Sequence, residues 1–335
     1  MKKLVDVKGL CVDYITFDGR VRAVNDVSFH IGQGEILGLA GESGCGKSTV
    51  AFSLMRLHRP PALISEGEIL FDGKDVLEMD DEELCDYRWK GASMVFQSAM
   101  NCLNPVKTIE YQFRDIFEAH NMVKSKQEAI EKAKSLLRIV DIPEERLFDY
   151  PHQFSGGMRQ RVVIAMALAL NPKLLIMDEP TTALDVVVQR EILQKVYELK
   201  EQFGFSILFI THDLSLMVEF CDRIGIMYSG QLVELAPSKQ ILDIPHHPYA
   251  QGLGGSFPTL IGELQEMKGI PGTPLDLSNV PDGCRFAPRC TAVQDKCRKV
   301  EPKLFQLNDK RWAACHFPVN LTHAEQAIDA VVLED

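Results

Sequence analysis

Gly41-Glu42-Ser43-Gly44-Cys45-Gly46-Lys47-Ser48 follows the pattern G-x-x-x-x-G-K-[ST], and residue types in that order grip phosphate. Glycines let backbone N–H groups turn inward around the anion, and the positive end of a following helix adds to the attraction. Lys47 can reach the β- and γ-phosphates of a nucleoside triphosphate, and the Ser48 hydroxyl is placed to ligate Mg²⁺. A pair of acids suits the same reaction. They end the apolar run Leu174-Leu175-Ile176-Met177-Asp178-Glu179. Asp178 would hold Mg²⁺ through water, and Glu179 would orient or deprotonate the attacking water. Phe154-Ser155-Gly156-Gly157-Met158-Arg159-Gln160-Arg161 is a second glycine-rich helix start, hence a second anion site. One nucleotide hardly needs two such sites from the same subunit. A second subunit, lending its helix N-terminus to the γ-phosphate, would explain the pair.

The elements that must position these groups are legible in the spacing. Residues 35–40 predict a short strand before the loop, and 48–57 a helix after it. Residues 4–40 predict strands around the turn signals Asp18-Gly19 and Gly32-Gln33-Gly34. Further strands are predicted at 67–71, before Asp72-Gly73, and at 93–97, after an acidic helical stretch. From about 107 to 170 the pattern turns helical, with Ile130, Ala133, Leu137 and Val140 on one face. Strand 174–177, helix 187–202 and strand 206–210 then alternate, which predicts a parallel sheet with crossover helices. After about Pro237 the chain becomes rich in proline and glycine, opening on His246-His247-Pro248-Tyr249. Loops and short elements are expected there, and a short exposed helix or frayed tail over 324–335.

Composition sets outer bounds. With 335 residues, 46% of them hydrophobic and 25% charged, an ordinary globular protein of more than one folded unit is expected. No stretch approaches the ~20 apolar residues of a membrane helix, and residues 1–8 read as a first strand, not a secretion signal. A cytosolic location is therefore expected. The net charge of −11 argues against general nucleic-acid binding.

The order of the Gly41–Ser48 loop, Gln97, Phe154–Met158, Leu174–Glu179, Ala183-Leu184-Asp185 and His212 resembles the nucleotide-binding subunit of ATP-binding cassette (ABC) transporters. The resemblance covers roughly residues 4–245. It implies an α/β fold of the ABC type of P-loop NTPase: a mixed sheet core, added antiparallel strands and a helical subdomain at about 107–170. It also implies a head-to-tail dimer with two ATP molecules between the Lys47 loop of one subunit and Ser155-Gly156-Gly157 of the other. Gly41, Ser43, Gly44, Cys45, Gly46, Lys47, Ser48 and Thr49 would then surround the phosphates. Ser48, Gln97 and Asp178 would attend Mg²⁺, with Gln97 also sensing the coupled membrane subunit. Asp185 would lie at the dimer seam, His212 would touch the γ-phosphate beside Glu179 and Lys47, and Tyr14 would stack on adenine.

Met158 after the glycines, Leu103-Asn104-Pro105, Val186 with Gln189, and His247-Pro248-Tyr249 look like the oligopeptide/dipeptide importer branch. Ser98 departs from it, because an acid often follows the glutamine there. That branch implies an ATPase subunit peripheral to the cytoplasmic face of the membrane. It would work with a second ATPase subunit (a copy or a paralogue), two membrane permease subunits and, indirectly, an extracellular substrate-binding protein. Related importers also carry nickel or oligosaccharides. A soluble cassette ATPase acting on DNA or the ribosome is the alternative from another class. It often has two cassettes or a long coiled-coil insertion, and this chain has neither.

Nine cysteines are placed unevenly. Cys11, Cys45, Cys85, Cys102 and Cys221 are scattered and expected to be mostly buried. Cys284, Cys290, Cys297 and Cys315 are spaced C-x5-C-x6-C-x17-C. Four thiolates on irregular backbone can ligate a [4Fe–4S] cluster or a structural zinc, and the short paired spacing usual for zinc is missing. Eight Lys/Arg against three acids between Cys284 and His316 suit an anionic cluster. Cys284-Arg285-Phe286-Ala287-Pro288-Arg289-Cys290 resembles the C-terminal extension of peptide-importer ATPases, some of which carry a [4Fe–4S] cluster. Residues 246–335 are thus expected to form an irregular metal-binding extension on a nucleotide-binding domain over 1–245.

Overall fold

The computed structural model describes all residues except 1, 18, 98–101, 182–183, 256–268 and 322–335. Ser98, Ala183 and the tail from 324 onward thus lie outside the described residues. The strands are β1 (Lys3–Thr16), β2 (Gly19–Gly32), β3 (Ile36–Ala40), β4 (Ala62–Phe71), β5 (Lys74–Asp75), β6 (Ala92–Val95), β7 (Leu174–Asp178), β8 (Ser206–Ile210), β9 (Arg223–Tyr228), β10 (Gln231–Pro237), β11 (Phe305–Asn308) and β12 (Arg311–Ala313). The chain forms two compact units. One comprises Met1–Leu4, Ile31–Glu35 and Asp75–Ile210; the other comprises Val5–His30, Ile36–Lys74 and Thr211–Asp335.

In the first unit β8, β7 and β6 lie side by side and parallel, with Leu174 opposite both Ala92 and Ser206. Every residue of β7 and β8 is buried, as expected of parallel strands covered on both faces. The predicted helical block resolves into helices Ile109–Ala119, Lys126–Ile139 and Gly156–Ala167. Each starts at a hydroxyl that accepts a first-turn N–H: Thr108 from Tyr111, Ser125 from Glu128 and Ser155 from Met158. On the second of these helices Ala129, Ala133, Leu136 and Leu137 are buried, while Ile130 is only half-buried, so the inner face is turned slightly from the predicted one. The crossover helix runs Val186–Phe203, and Gly204, with φ 74°, ends it in the left-handed region that favours glycine.

In the second unit β2, β1 and β4 lie side by side in one layer, and β1 and β4 are antiparallel, with Val5 opposite Phe71 and Tyr14 opposite Ala62. Residues 4–40 were expected as short strands; β1 and β2 are instead 14 residues each. The helix after the phosphate loop is Lys47–Leu54, shorter than the 48–57 predicted, because Arg56 turns to φ 48° just beyond its end. A second layer in this unit has the order β11-β12-β10-β9-β3. There β3 and β9 are parallel, and β9, β10 and β12 alternate in direction. The described elements of the proline-rich C-terminal region are short, as its sequence suggested. Its last two strands pair with each other and extend the layer through Glu234 opposite Ala313.

A buried ion pair fixes that extension. Arg311 and Glu234 meet at 2.9 Å with 3% and 0% of their side chains exposed. Glu234 also accepts the backbone N–H groups of His246 and His247 at 2.7–3.0 Å, and Arg311 donates to the carbonyl of Ile244. Each charge is thus surrounded by complementary groups, the condition under which a buried pair is tolerated. Among the described residues no helix is long and apolar enough to cross a membrane.

Candidate nucleotide site

The phosphate loop sits where the sequence placed it, between the fully buried β3 and the helix Lys47–Leu54. Gly41, Gly44 and Gly46 all have positive φ, 149°, 77° and 103°. At Gly41 a Cβ would lie 2.2 Å from the Met227 carbonyl oxygen, so only glycine fits there. Gly46 is the helix N-cap and offers no side-chain oxygen to its first turn. The N–H groups there thus keep their capacity for an anion, with the helix dipole behind them. Lys47 is buried and donates from Nζ to the carbonyls of Gly41 and Glu42, at 2.8 and 2.9 Å. Ser43 lies in the loop, and Ser48 and Thr49 in the first turn of the helix. Cys45 is buried, and burial pushes its thiol up, so it fills space beside the loop.

Tyr14 is half-exposed on β1, hence not core. Its neighbour Asp13 is fully buried and paired with Arg20 and Arg22. Burial pushes the Asp13 carboxyl up, but hydrogen bonds from Arg20, Ser65 and Arg22 outweigh it and hold it at about 2. A charged cluster therefore fixes the strand that presents Tyr14. His212 is exposed, two residues beyond β8.

In the first unit the strand β7 delivers Asp178, buried, and Glu179, half-buried. Glu179 has φ 45°, a conformation few non-glycine residues adopt. Its N–H is anchored on the Ile210 carbonyl at 2.8 Å, and its Oε2 accepts from Gln97 Nε2 at 3.2 Å. Two residues 82 apart in sequence, both assigned to one reaction, therefore meet. Asp185 is exposed and caps the helix Val186–Phe203 by accepting the N–H of Val188 at 3.0 Å. Gln189 donates back to the carbonyls of Thr181 and Leu184, which ties this loop to its helix. Ser155 is exposed at the start of Gly156–Ala167, with Gly156 and Gly157 half-buried behind it.

Cys284, Cys290, Cys297 and Cys315 all line one small cavity. Its other walls include His247, Phe286, His316 and Phe317. Burial pushes the thiol of Cys284 up to about 11 and that of Cys315 up to about 12. Among the described residues no three His, Cys, Asp or Glu side chains converge closely enough to hold one metal ion. The expected metal centre thus has its four thiols gathered but not closed into a ligand set. Lys and Arg side chains were expected around them; among the described residues none lines the cavity. Arg285, Arg289 and Arg311 are buried in other contacts, with Ser229 and Glu301, with Glu42 and with Glu234. Of the scattered cysteines, Cys11, Cys45 and Cys221 are buried while Cys85 and Cys102 are exposed.

Residues 24–182 match the family model described as ABC transporter, and residues 233–297 match that of the oligopeptide/dipeptide transporter C-terminal region. The oligopeptide transport ATP-binding protein OppD of Bacillus subtilis is 44% identical over 315 residues, which is 92% of this chain and 87% of OppD. The chain belongs to the ABC transporter ATPase family. ATP hydrolysis is the characteristic activity of that family. The dipeptide transport ATP-binding protein DppD of Caldanaerobacter subterraneus is 40% identical, covering 94% of this chain and 97% of DppD. A solved dimer of the ATP-binding cassette MJ0796 with ADP and phosphate is 30% identical with a TM-score of 0.62. It covers 70% of this ATPase and 98% of the cassette.

Sequence reasoning missed Tyr249 and Arg289 as supports of the loop, and gave Glu42 within it no role of its own. Tyr249 had a signal, since His247-Pro248-Tyr249 stood out as a motif. Arg289 and Glu42 are 247 residues apart, and no local pattern joins them.

Proposed function

We propose that this chain is the ATP-hydrolysing subunit that powers an importer of oligopeptides or dipeptides. The observation that carries the reading is the match of residues 233–297 to a C-terminal region described for those transporters, attached to an ABC ATPase. The names of the relatives in Bacillus and Caldanaerobacter support it. The working organisation is a nucleotide-binding domain over 1–245, with a helical subdomain at about 107–170, and an extension over 246–335. Its partners are a second ATPase subunit, head to tail, and two membrane permease subunits at the cytoplasmic face of the membrane. A substrate-binding protein outside the cell acts on it only through the permeases.

Lys47 and the backbone of Gly41–Thr49 bind the phosphates, and Tyr14 stacks on adenine. The hydroxyl of Ser48, the carboxylate of Asp178 and the amide oxygen of Gln97 are oxygen donors, the set that Mg²⁺ prefers. Mg²⁺, when bound, neutralises charge on the phosphates. Glu179 takes the proton of the attacking water, and its positive φ and the Gln97 contact support that positioning. His212 contacts the γ-phosphate. Ser155, Gly156 and Gly157 of the second subunit complete the site, with Asp185 at the seam. The reaction is catalysed by positioning and charge neutralisation.

The four cysteines hold a [4Fe–4S] cluster in this reading. The lining of one cavity by all four thiols supports the reading, and the short paired spacing usual for zinc is missing. Anaerobic purification followed by iron, sulfide and zinc analysis tests it. About four irons and four sulfides per chain are expected; stoichiometric zinc or no metal would reject the cluster. Transport is tested by reconstituting the ATPase with its permeases and measuring ATP-dependent uptake of a labelled oligopeptide. Uptake of nickel or an oligosaccharide in its place would overturn the cargo assignment.

A further inference from the structure

The region beyond β10 reaches the phosphate loop in two places. Arg289, next in the chain to Cys290, donates from both terminal nitrogens to the Glu42 carboxylate, at 2.7 and 2.9 Å. Its Nε is fixed by the Pro271 carbonyl at 2.8 Å, and its guanidinium lies 5.7 Å from the centre of the Tyr228 ring. Only 5% of the Arg289 side chain and 24% of that of Glu42 are exposed. A fork-on-fork pair in such surroundings has one geometry, which a lysine could not reproduce. Tyr249 makes the second contact: its hydroxyl accepts the backbone N–H of Glu42 at 2.9 Å. Tyr249 is itself held, since its N–H donates to Nδ1 of His247 at 3.0 Å. Its ring packs 4.6 Å from Tyr228 and 5.3 Å from Phe286, centre to centre. Glu42 is therefore fixed at side chain and backbone alike, and its carbonyl accepts from Lys47 Nζ at 2.9 Å. One residue links the C-terminal region to the lysine on which phosphate binding depends.

We propose that Arg289 and Tyr249 are positioning residues for nucleotide binding, holding Glu42, and through it Lys47, in the conformation that grips phosphate. This rests on the nucleotide-binding reading of Gly41–Ser48. Both residues lie in the 233–297 match and outside the 24–182 match, so the support comes from the part that distinguishes this branch from a bare cassette. Phe286 gives the support a second input. It walls the thiol cavity and packs on Tyr249, so a change in that cavity bears on the loop.

The test is the Kd of a fluorescent ATP analogue, titrated with EDTA present, on the full-length chain. The variants are R289Q, R289K, Y249F, E42Q, R289Q/E42Q and, as control, K47A. Replacing the bidentate pair in R289Q should raise Kd about tenfold, with R289K recovering only part. Removing one hydroxyl in Y249F should raise it about threefold. The effect should fall on Kd and KM, with kcat at saturating ATP changed less than about twofold. In an E42Q background R289Q should add little, since both break one contact. Unchanged Kd in R289Q and Y249F, additive effects with E42Q, or a loss confined to kcat would overturn the proposal and leave the nucleotide reading intact. No binding by the wild type, or full binding by K47A, would instead overturn the reading of the loop. Should R289Q fail to fold, Y249F, which keeps the ring, decides alone.

Discussion

The helices Lys47–Leu54 and Gly156–Ala167 both open on glycine-rich turns, yet the two starts are built differently. The first has Gly46 as its N-cap, with φ 103° and no side-chain oxygen offered to its N–H groups. Its loop is fixed from outside by Gly230 N–H on the Cys45 carbonyl at 3.0 Å, by Tyr249 and by Arg289. It also carries its own cation in Lys47. The second has Ser155 as N-cap, exposed, bonded to the N–H of Met158 at 3.3 Å. A helix start that is preorganised and supplied with a lysine can hold phosphate within its own unit. In the proposed head-to-tail dimer, the one that is self-capped at the surface would serve a phosphate brought by another subunit. On that reading the contrast explains why one chain has two anion sites for one reaction.

The largest effect expected is that of Lys47→Ala, which should weaken ATP binding by on the order of a hundredfold or more, since the buried cation of the proposed phosphate site is lost. Equilibrium titration measures it. Next comes Glu179→Gln. It should keep ATP binding, lower hydrolysis by about a hundred- to ten-thousandfold, and accumulate as an ATP-dependent dimer on size-exclusion chromatography. Near-normal turnover would remove Glu179 from the role of base.

Gly156→Asp sharpens the comparison further. An acid at the first turn of a helix favours folding, so the variant should melt at or above the wild-type temperature. It should bind ATP as one subunit within about twofold and lose about a hundredfold in hydrolysis, because its charge opposes the partner's γ-phosphate. Weakened binding by the single subunit would place both helix starts on the same nucleotide within one chain. The smallest effect is that of Ser155→Ala. Losing the cap should cost about 1 kcal/mol of stability and only a few-fold in hydrolysis; a loss as large as that of Gly156→Asp would make the hydroxyl a phosphate ligand.

Much of this arrangement was legible before any coordinates. The strand-loop-helix around Lys47 declares itself because glycine, lysine and serine have one spacing that suits phosphate. Strands β7 and β8 were legible because buried parallel strands are unbroken apolar runs. The gathering of Cys284, Cys290, Cys297 and Cys315 into one cavity followed from their crowding. What escaped depends on distant pairing. Whether β11 and β12 join the layer of β10 is decided by Arg311 and Glu234, 77 residues apart. The basic residues near the cysteines looked like a counter-charge, but composition cannot tell that three of them are committed to buried contacts elsewhere. The turn at Tyr87–Gly91 also bends at Trp89, which takes φ 75°, and not at its glycine, so no local signal marks the bend.

The most direct measurement mixes Lys47→Ala and Gly156→Asp subunits and follows ATP hydrolysis. Each variant alone should be nearly inactive. A mixed dimer carries one intact loop facing one intact Ser155-Gly156-Gly157 start, so the account predicts recovery to about a quarter of the wild-type rate. A mixture as inactive as its parts would contradict a site shared between two subunits.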